Sequence, residues 1–160
     1  MAPPTAMPIL PGMEAAAAQM PRPQWKVPVG WLAEPLDNLR QGSWKAQGQQ
    51  DTSAEITVLA FPGDVGGDLA NVNRWRTQIG LTEWDETAYL AHSKKMEIDG
   101  AECTWVVLDE PNSPDQEAIA AVIMPKGPNT WFFKIKGNRA AVEAQLESFH
   151  DFVLSVNFDY

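Results

Sequence analysis

Apolar and polar residues follow three rhythms along this chain. Unbroken apolar runs fall at Ile56-Thr-Val-Leu-Ala-Phe61, stopped by Pro62-Gly63, and at Cys103 to Leu108 and Ala118 to Met124. A strand with one wet face would alternate, so such runs predict strands covered on both faces. Alternation does mark Ser93 to Ile98, which closes at Asp99-Gly100, a hairpin signal. In Thr130 to Lys136, Trp131, Phe133 and Ile135 share one side of a strand, while Phe132, Lys134 and Lys136 share the other. Helical spacing is the third rhythm. Leu69, Val72, Trp75 and Ile79 line one side of a helix capped by Asp68, running to about Gln78 and stopped by Gly80. Val142, Leu146, Phe149 and Val153, widened by Phe152, define a longer helix opened by Asn138.

Weaker signals complete the pattern. Leu39 to Gln47 reads as a mixed strand around Trp44, with a hairpin-like turn over residues 48–51. Glu83 to Ala91 fits a short helix with Trp84, Ala88 and Tyr89 inward, His92 begins the polar strand, and Val156 and Phe158 suggest a terminal strand. Neighbouring strands joined by tight turns imply a largely antiparallel sheet, and its doubly apolar members require cover above and below. The expected fold class is α+β: a three-layer α/β/α sandwich with helices on both faces. Residues 1–24 stand apart. Six prolines (3, 4, 8, 11, 21 and 23) punctuate them, so they read as an extended arm before a single domain over residues 25–160.

The chain has 160 residues, an ordinary length for one domain. Seven Trp and six Phe supply enough apolar area to exclude wholesale disorder. No apolar run approaches the roughly 20 residues of a membrane span, so no transmembrane segment is expected. A net charge of −9 argues against a nucleic-acid partner. Most of that charge is local: ten acidic residues lie between Glu83 and Glu117 against Lys94 and Lys95. Such a bias is ordinarily a solvated face, and its functional alternative is steering toward a basic partner or holding weak divalent cations. The start of the chain shows no basic region followed by an apolar core, so it is not an intact secretory leader.

Val27-Pro-Val-Gly-Trp31, the segment from Phe61-Pro-Gly-Asp-Val-Gly-Gly-Asp68 through Asn71-Val-Asn-Arg-Trp75 to Leu81, and Thr130-Trp-Phe-Phe-Lys-Ile-Lys-Gly137 with its following helix resemble a group of bacterial envelope proteins with lipoprotein-type leaders. The order of elements resembles the PsbP-like fold, shared with the Ran-binding import factor Mog. That resemblance spans about residues 25–158. It implies the α/β/α fold and an exported, periplasmic or envelope, location. It brings no chemistry with it. The chain departs from the pattern in lacking a leader and a cysteine near its start, which leaves lipid anchoring open.

Candidate site residues concentrate in one segment. Asp64, Gly66, Gly67 and Asp68 precede or open a helix, where backbone N–H groups hold anions, but the two aspartates oppose an anion and a capped turn accounts for the pattern. Asn71, Asn73, Arg74, Arg76 and Gln78 follow on the helix. Two of Arg74, Arg76 and Gln78 could clamp a carboxylate, against an ordinary polar helix face. Asp64, Asp68, Asn71 and Asn73 could offer oxygens to calcium, at spacings that miss the EF-hand pattern. Cys103 within an apolar run reads as inert, His92 and His150 have no zinc-motif spacing, and no nucleophile elbow occurs. Met7, Met13 and Met20 lack the neighbouring histidines of a copper site.

Three functional expectations follow. The first is a non-enzymatic, envelope-associated accessory domain without a cofactor, which binds a protein partner. The second is a small-ligand or anion-binding domain, or minor hydrolase, that uses Gly63 to Gln78. The third is an assembly factor with a small-GTPase partner, as the Mog resemblance implies.

Overall fold

The computed structural model describes residues 22–37, 39–48, 51–110 and 116–158. Among these residues the chain is α+β, with a seven-stranded antiparallel sheet and three helices. The elements are β1 (Trp31–Ala33), β2 (Arg40–Gln47), β3 (Ser53–Pro62), α1 (Asp68–Gln78), α2 (Glu86–His92), β4 (Ser93–Ile98), β5 (Ala101–Leu108), β6 (Glu117–Lys126), β7 (Asn129–Asn138) and α3 (Arg139–Leu154). The strands lie in the order β1-β2-β3-β7-β6-β5-β4, so β1 and β4 are the edges. Strands consecutive in the chain pair with each other, except β3 and β4, which α1 and α2 separate. One long-range pairing, β3 against β7, joins the halves, with Ile56 opposite Ile135, Val58 opposite Phe133 and Ala60 opposite Trp131.

Two apolar clusters follow from the period of two along the strands. Ala118, Ala120, Val122 and Met124 of β6 and Trp131, Phe133 and Ile135 of β7 pack with Val142, Phe149, Phe152 and Val153 of α3. Ile119, Ala121 and Ile123 of β6 and Phe132 of β7 belong instead with Val72, Trp75 and Ile79. The split of Trp131, Phe133 and Ile135 from Phe132 is the one the alternation predicts. Both helical stripes are buried, apart from half-buried Leu69 and Leu146. Asn138 caps α3 by accepting from the Ala140 N–H at 2.9 Å.

At the end of α1, the Gly80 N–H donates to the Thr77 carbonyl (3.1 Å) and the Leu81 N–H to that of Arg76 (2.9 Å), with Gly80 at φ +80°. This is a Schellman closure, and its left-handed residue is the reason glycine stands there. Asp99 and Gly100, both at positive φ, make the two-residue turn between β4 and β5.

Several expectations are corrected. The run Ile56 to Phe61 is covered unevenly: Ile56, Val58 and Ala60 are buried on one face, whereas on the other Phe61 is buried, and Leu59, packed against the α1-side cluster, and Thr57 are only half-buried. Residue 67, not Asp68, is the N-cap of α1, and no side chain caps that helix. His92 ends α2 and does not begin β4. The expected terminal strand is an isolated bridge, Asn157 with Gln24. That bridge draws Gln24, assigned to the arm, into the fold, and the Lys26 N–H donates to Ser155 Oγ beside it (2.8 Å). Arm residues 1–21 and the turn residues 49–50 lie outside the described residues, as do residues 111–115 of the expected loop. No helix among the described residues is long and apolar enough to cross a membrane.

Candidate functional site

The segment from Gly63 to Gln78 is held by its own polar groups. Gly63 accepts from Thr130 Oγ1 (2.6 Å), and Asp64 Oδ1 accepts from the Gly66 N–H (3.2 Å). Val65 sits at φ +53° between Gly63 and Gly66, a conformation that β-branched residues rarely adopt. Asn71, 1% exposed, donates through Nδ2 to the carbonyls of Gly67 (2.8 Å) and Val65 (3.2 Å), stitching the loop to the first turn of α1. Asp68 Oδ2 accepts from the Tyr89 hydroxyl (3.2 Å) and Thr104 Oγ1 (3.4 Å). Burial, and then the Asp68 charge, raise the Tyr89 hydroxyl above its ordinary value.

The polar face of α1 is an interface with the segment that follows it. Asn73 brackets the Trp84 backbone, donating to its carbonyl (2.9 Å) and accepting from its N–H (2.7 Å). Arg76 is buried, donates from Nε to the Thr82 carbonyl (2.6 Å), and lays its guanidinium 4.2 Å over the Trp84 ring. That burial lowers its pKa. Arg76 is therefore committed internally and does not pair with Arg74 in a carboxylate clamp. Arg74 is exposed and donates one bond to Asn71 Oδ1 (2.5 Å), and Gln78 is exposed. The asparagines proposed as calcium ligands hold backbone instead.

The acidic region is also partly structural. Asp85 caps α2 through the Ala88 N–H (2.8 Å), Asp109 pairs with Arg139 (3.2 Å), and Asp99 accepts from the Phe158 N–H (2.9 Å). The Phe158 bond and the Lys126 charge hold Asp99 below the usual carboxylate range. His92 stacks on Trp84, centroids 5.3 Å apart. Cys103 is buried opposite Met96 on β4, three rungs from Ser93, and burial pushes its thiol up to about 11. Among the described residues, no three His, Cys, Asp or Glu side chains gather to hold a metal ion.

An open groove of about 600 Å³ lies between edge strand β4 and helix α3. Its strand side is Lys94, Lys95, Met96 and Trp105. Its helix side is Glu143, Leu146, Glu147 and His150. The half-buried Trp105 ring lies 5.8 Å from Phe149 and 5.5 Å, edge to face, from His150. Glu143 is held by Arg139 at 2.9 Å, and Glu147 lies one turn further along.

No protein-family model matches the chain, and no curated protein matches it. Among solved structures, a protein from Bacteroides thetaiotaomicron VPI-5482 aligns with 87% of this chain and 46% of its own, at 10% identity and a TM-score of 0.49. The chain thus spans about half the length of that protein. LpqN, involved in cell envelope biogenesis of Mycobacterium tuberculosis, aligns over 84% of this chain and 83% of its own, at 11% identity and a TM-score of 0.45.

The groove escapes a reading of the sequence. Trp105 belongs to an apolar run and His150 adjoins an apolar stripe, so nothing local separates them from core residues. Only the crossing of α3 over β4 and β5 brings them together. The one available signal is that Leu146 shares its stretch of helix with Glu143, Glu147 and His150.

Proposed function

We propose that the chain is a non-enzymatic, envelope-associated binding domain that takes an extended segment of a partner protein along β4. The groove beside that edge strand carries the reading. A sheet edge offers unpaired backbone N–H and carbonyl groups to an incoming strand, and a neighbouring pocket selects its side chains. Side chains of an added strand alternate, so every second one faces α3. An apolar residue would rest on Trp105, Met96 and Leu146. A Lys or Arg two positions away would reach Glu147, in keeping with the net charge of −9. The opposite parity of the two apolar clusters supports a sheet that is the middle of three layers, which leaves its edges as the faces open to a partner. The envelope location rests on the resemblance carried by Val27–Trp31, Phe61–Leu81 and Thr130–Gly137. A buried thiol pushed to about 11, and histidines each packed against a different tryptophan, His92 stacked on Trp84 and His150 edge to face with Trp105, support a non-catalytic role.

Selection from a random peptide library tests the binding mode. Enriched peptides should share an apolar residue two positions from a Lys or Arg. E147K should switch the charged preference to acidic, and N-methylation of alternate peptide bonds should abolish binding. Peptides without that spacing, or a selection indifferent to E147K, would overturn the reading. Fractionation of the expressing cell tests the location, with the envelope fraction expected.

A further inference from the structure

We propose that the face of β2, β3 and β7 bearing Arg40, Lys134 and Lys136, together with Arg74 of α1, binds a compact oxyanion of the phosphate type. This site is separate from the β4 groove and does not depend on it.

The sheet register builds the site. Thr57 stands opposite Lys134 and Glu55 opposite Lys136 on β7, while Ser43 stands opposite Thr57 and Arg40 opposite Leu59 on β2. Directly opposed residues share a face, and so do residues two apart, so these side chains project together. The Lys134 ammonium lies 5.4 Å from the centre of the Trp75 ring, which brings it to α1 and its neighbour Arg74. Among the described residues, no hydrogen-bond acceptor or carboxylate partner reaches that ammonium. The charges acting on it are Lys136, Arg74 and Arg40, with Glu55 alone opposing them. Arg40 shares part of its charge with Asp37, 3.7 Å away, and Lys45 stands opposite Glu55.

Like charges do not gather on a half-buried surface without cost, so the arrangement calls for a counter-charge. Four cations against Glu55 and Asp37 leave an excess that suits a doubly charged oxyanion. Ser43 supplies a second, independent sign. It is 2% exposed on the same rung as Lys134, and its hydroxyl has no hydrogen-bond partner among the described residues. A buried hydroxyl of that kind is normally satisfied, and an oxyanion or its bound water would satisfy it. Arg74 thus serves an anion as the sequence suggested, but with Lys134 in place of Arg76. Burial and the surrounding cations lower Lys134 to about 8, so an anion held by it should be lost as pH rises through that value while both arginines stay charged.

The test is thermal denaturation and titration calorimetry of the full chain at low ionic strength, with inorganic phosphate, glycerol 3-phosphate, sulfate, acetate and chloride. Phosphate and sulfate should raise Tm by several degrees at tens of millimolar, beyond chloride at equal ionic strength. Sulfate, which keeps its charge, should bind at least fivefold more weakly at pH 9.5 than at pH 7. K134M and R74A should lose the specific shift, leaving the general salting effect, and E55Q should enlarge it. K134M removes a charge that folding buries, so it should fold at least as well as the natural chain. Equal binding of phosphate and glycerol 3-phosphate would place the open side of the site toward a phosphate carried on a larger molecule; preference for inorganic phosphate would point to the free ion. A K134M chain that keeps the phosphate shift, a natural chain without one, or tighter binding of acetate would overturn the proposal.

Discussion

Lys134 makes the stability of this protein depend on pH in an unusual direction. Its ammonium titrates at about 8 in the folded chain against 10.5 in a free lysine, chiefly because burial strips water from the charge, with Lys136, Arg74 and Arg40 adding repulsion against Glu55. Between these two values the unfolded chain holds a proton that the folded chain has released. Stability therefore rises with pH across that window, by about 3 kcal/mol at roughly 1.4 kcal/mol per pH unit. Cys103 acts in the opposite sense. Its thiol is raised from 9.0 to about 11, so the unfolded chain loses its proton first and stability falls over that interval. That loss is about 1–2 kcal/mol, with allowance for solvent screening near the sheet edge. The natural chain should gain stability from pH 7.5 to 9 and then level off. C103A should keep rising to about pH 10. K134M should be more stable than the natural chain at pH 7 by about 2–3 kcal/mol, and the two should converge near pH 10. Urea denaturation followed by tryptophan fluorescence reads this directly, since the chain has seven Trp. A K134M protein less stable than the natural chain at pH 7, or a natural chain whose stability falls between pH 7.5 and 9, would refute the reasoning.

Other expectations are simpler. A Cβ at Gly137 would overlap the Ser53 carbonyl and lie 2.9 Å from Ala54 Cα, so G137A should force β3 and β7 apart and cost about 3 kcal/mol or more, seen as a large drop in Tm. R76A removes the Thr82 bond and the cover over Trp84, and should cost about 1–3 kcal/mol while raising amide exchange over residues 81–92. N138A deletes the cap of α3 and should cost about 1 kcal/mol in urea denaturation. Cys103 should resist thiol reagents in the folded protein and react within minutes in denaturant; rapid labelling of the native chain would contradict its burial.

The elements of this fold were legible wherever a local period was strong. The stripes of Asp68–Gln78 and Arg139–Leu154, the Asp99-Gly100 turn, the Asn138 cap and the alternation of Trp131 to Lys136 depend on residues a few positions apart, and each stands in the structure. The limits of that reading were equally physical. An apolar run does not say how far its second face is covered, and Thr57 and Leu59 are only half-buried because the β2–β3 part of the sheet is less covered than β6. Arg76 was indistinguishable from Arg74 along the chain, since only the return of residues 82–84 across α1 buries one and leaves the other exposed.

By itself the sequence determined the inward faces of the strongly periodic strands and helices, the glycine stop of α1, the Asn138 start of α3 and the negative charge of the whole chain, because each is set by neighbours in the chain or by a sum over it. Tertiary structure alone decided that β3 pairs with β7, that Trp105 and His150 share a groove, and that Lys134 stands among Arg40, Arg74 and Lys136. Those contacts join residues tens of positions apart, and their energies exist only once the sheet has closed.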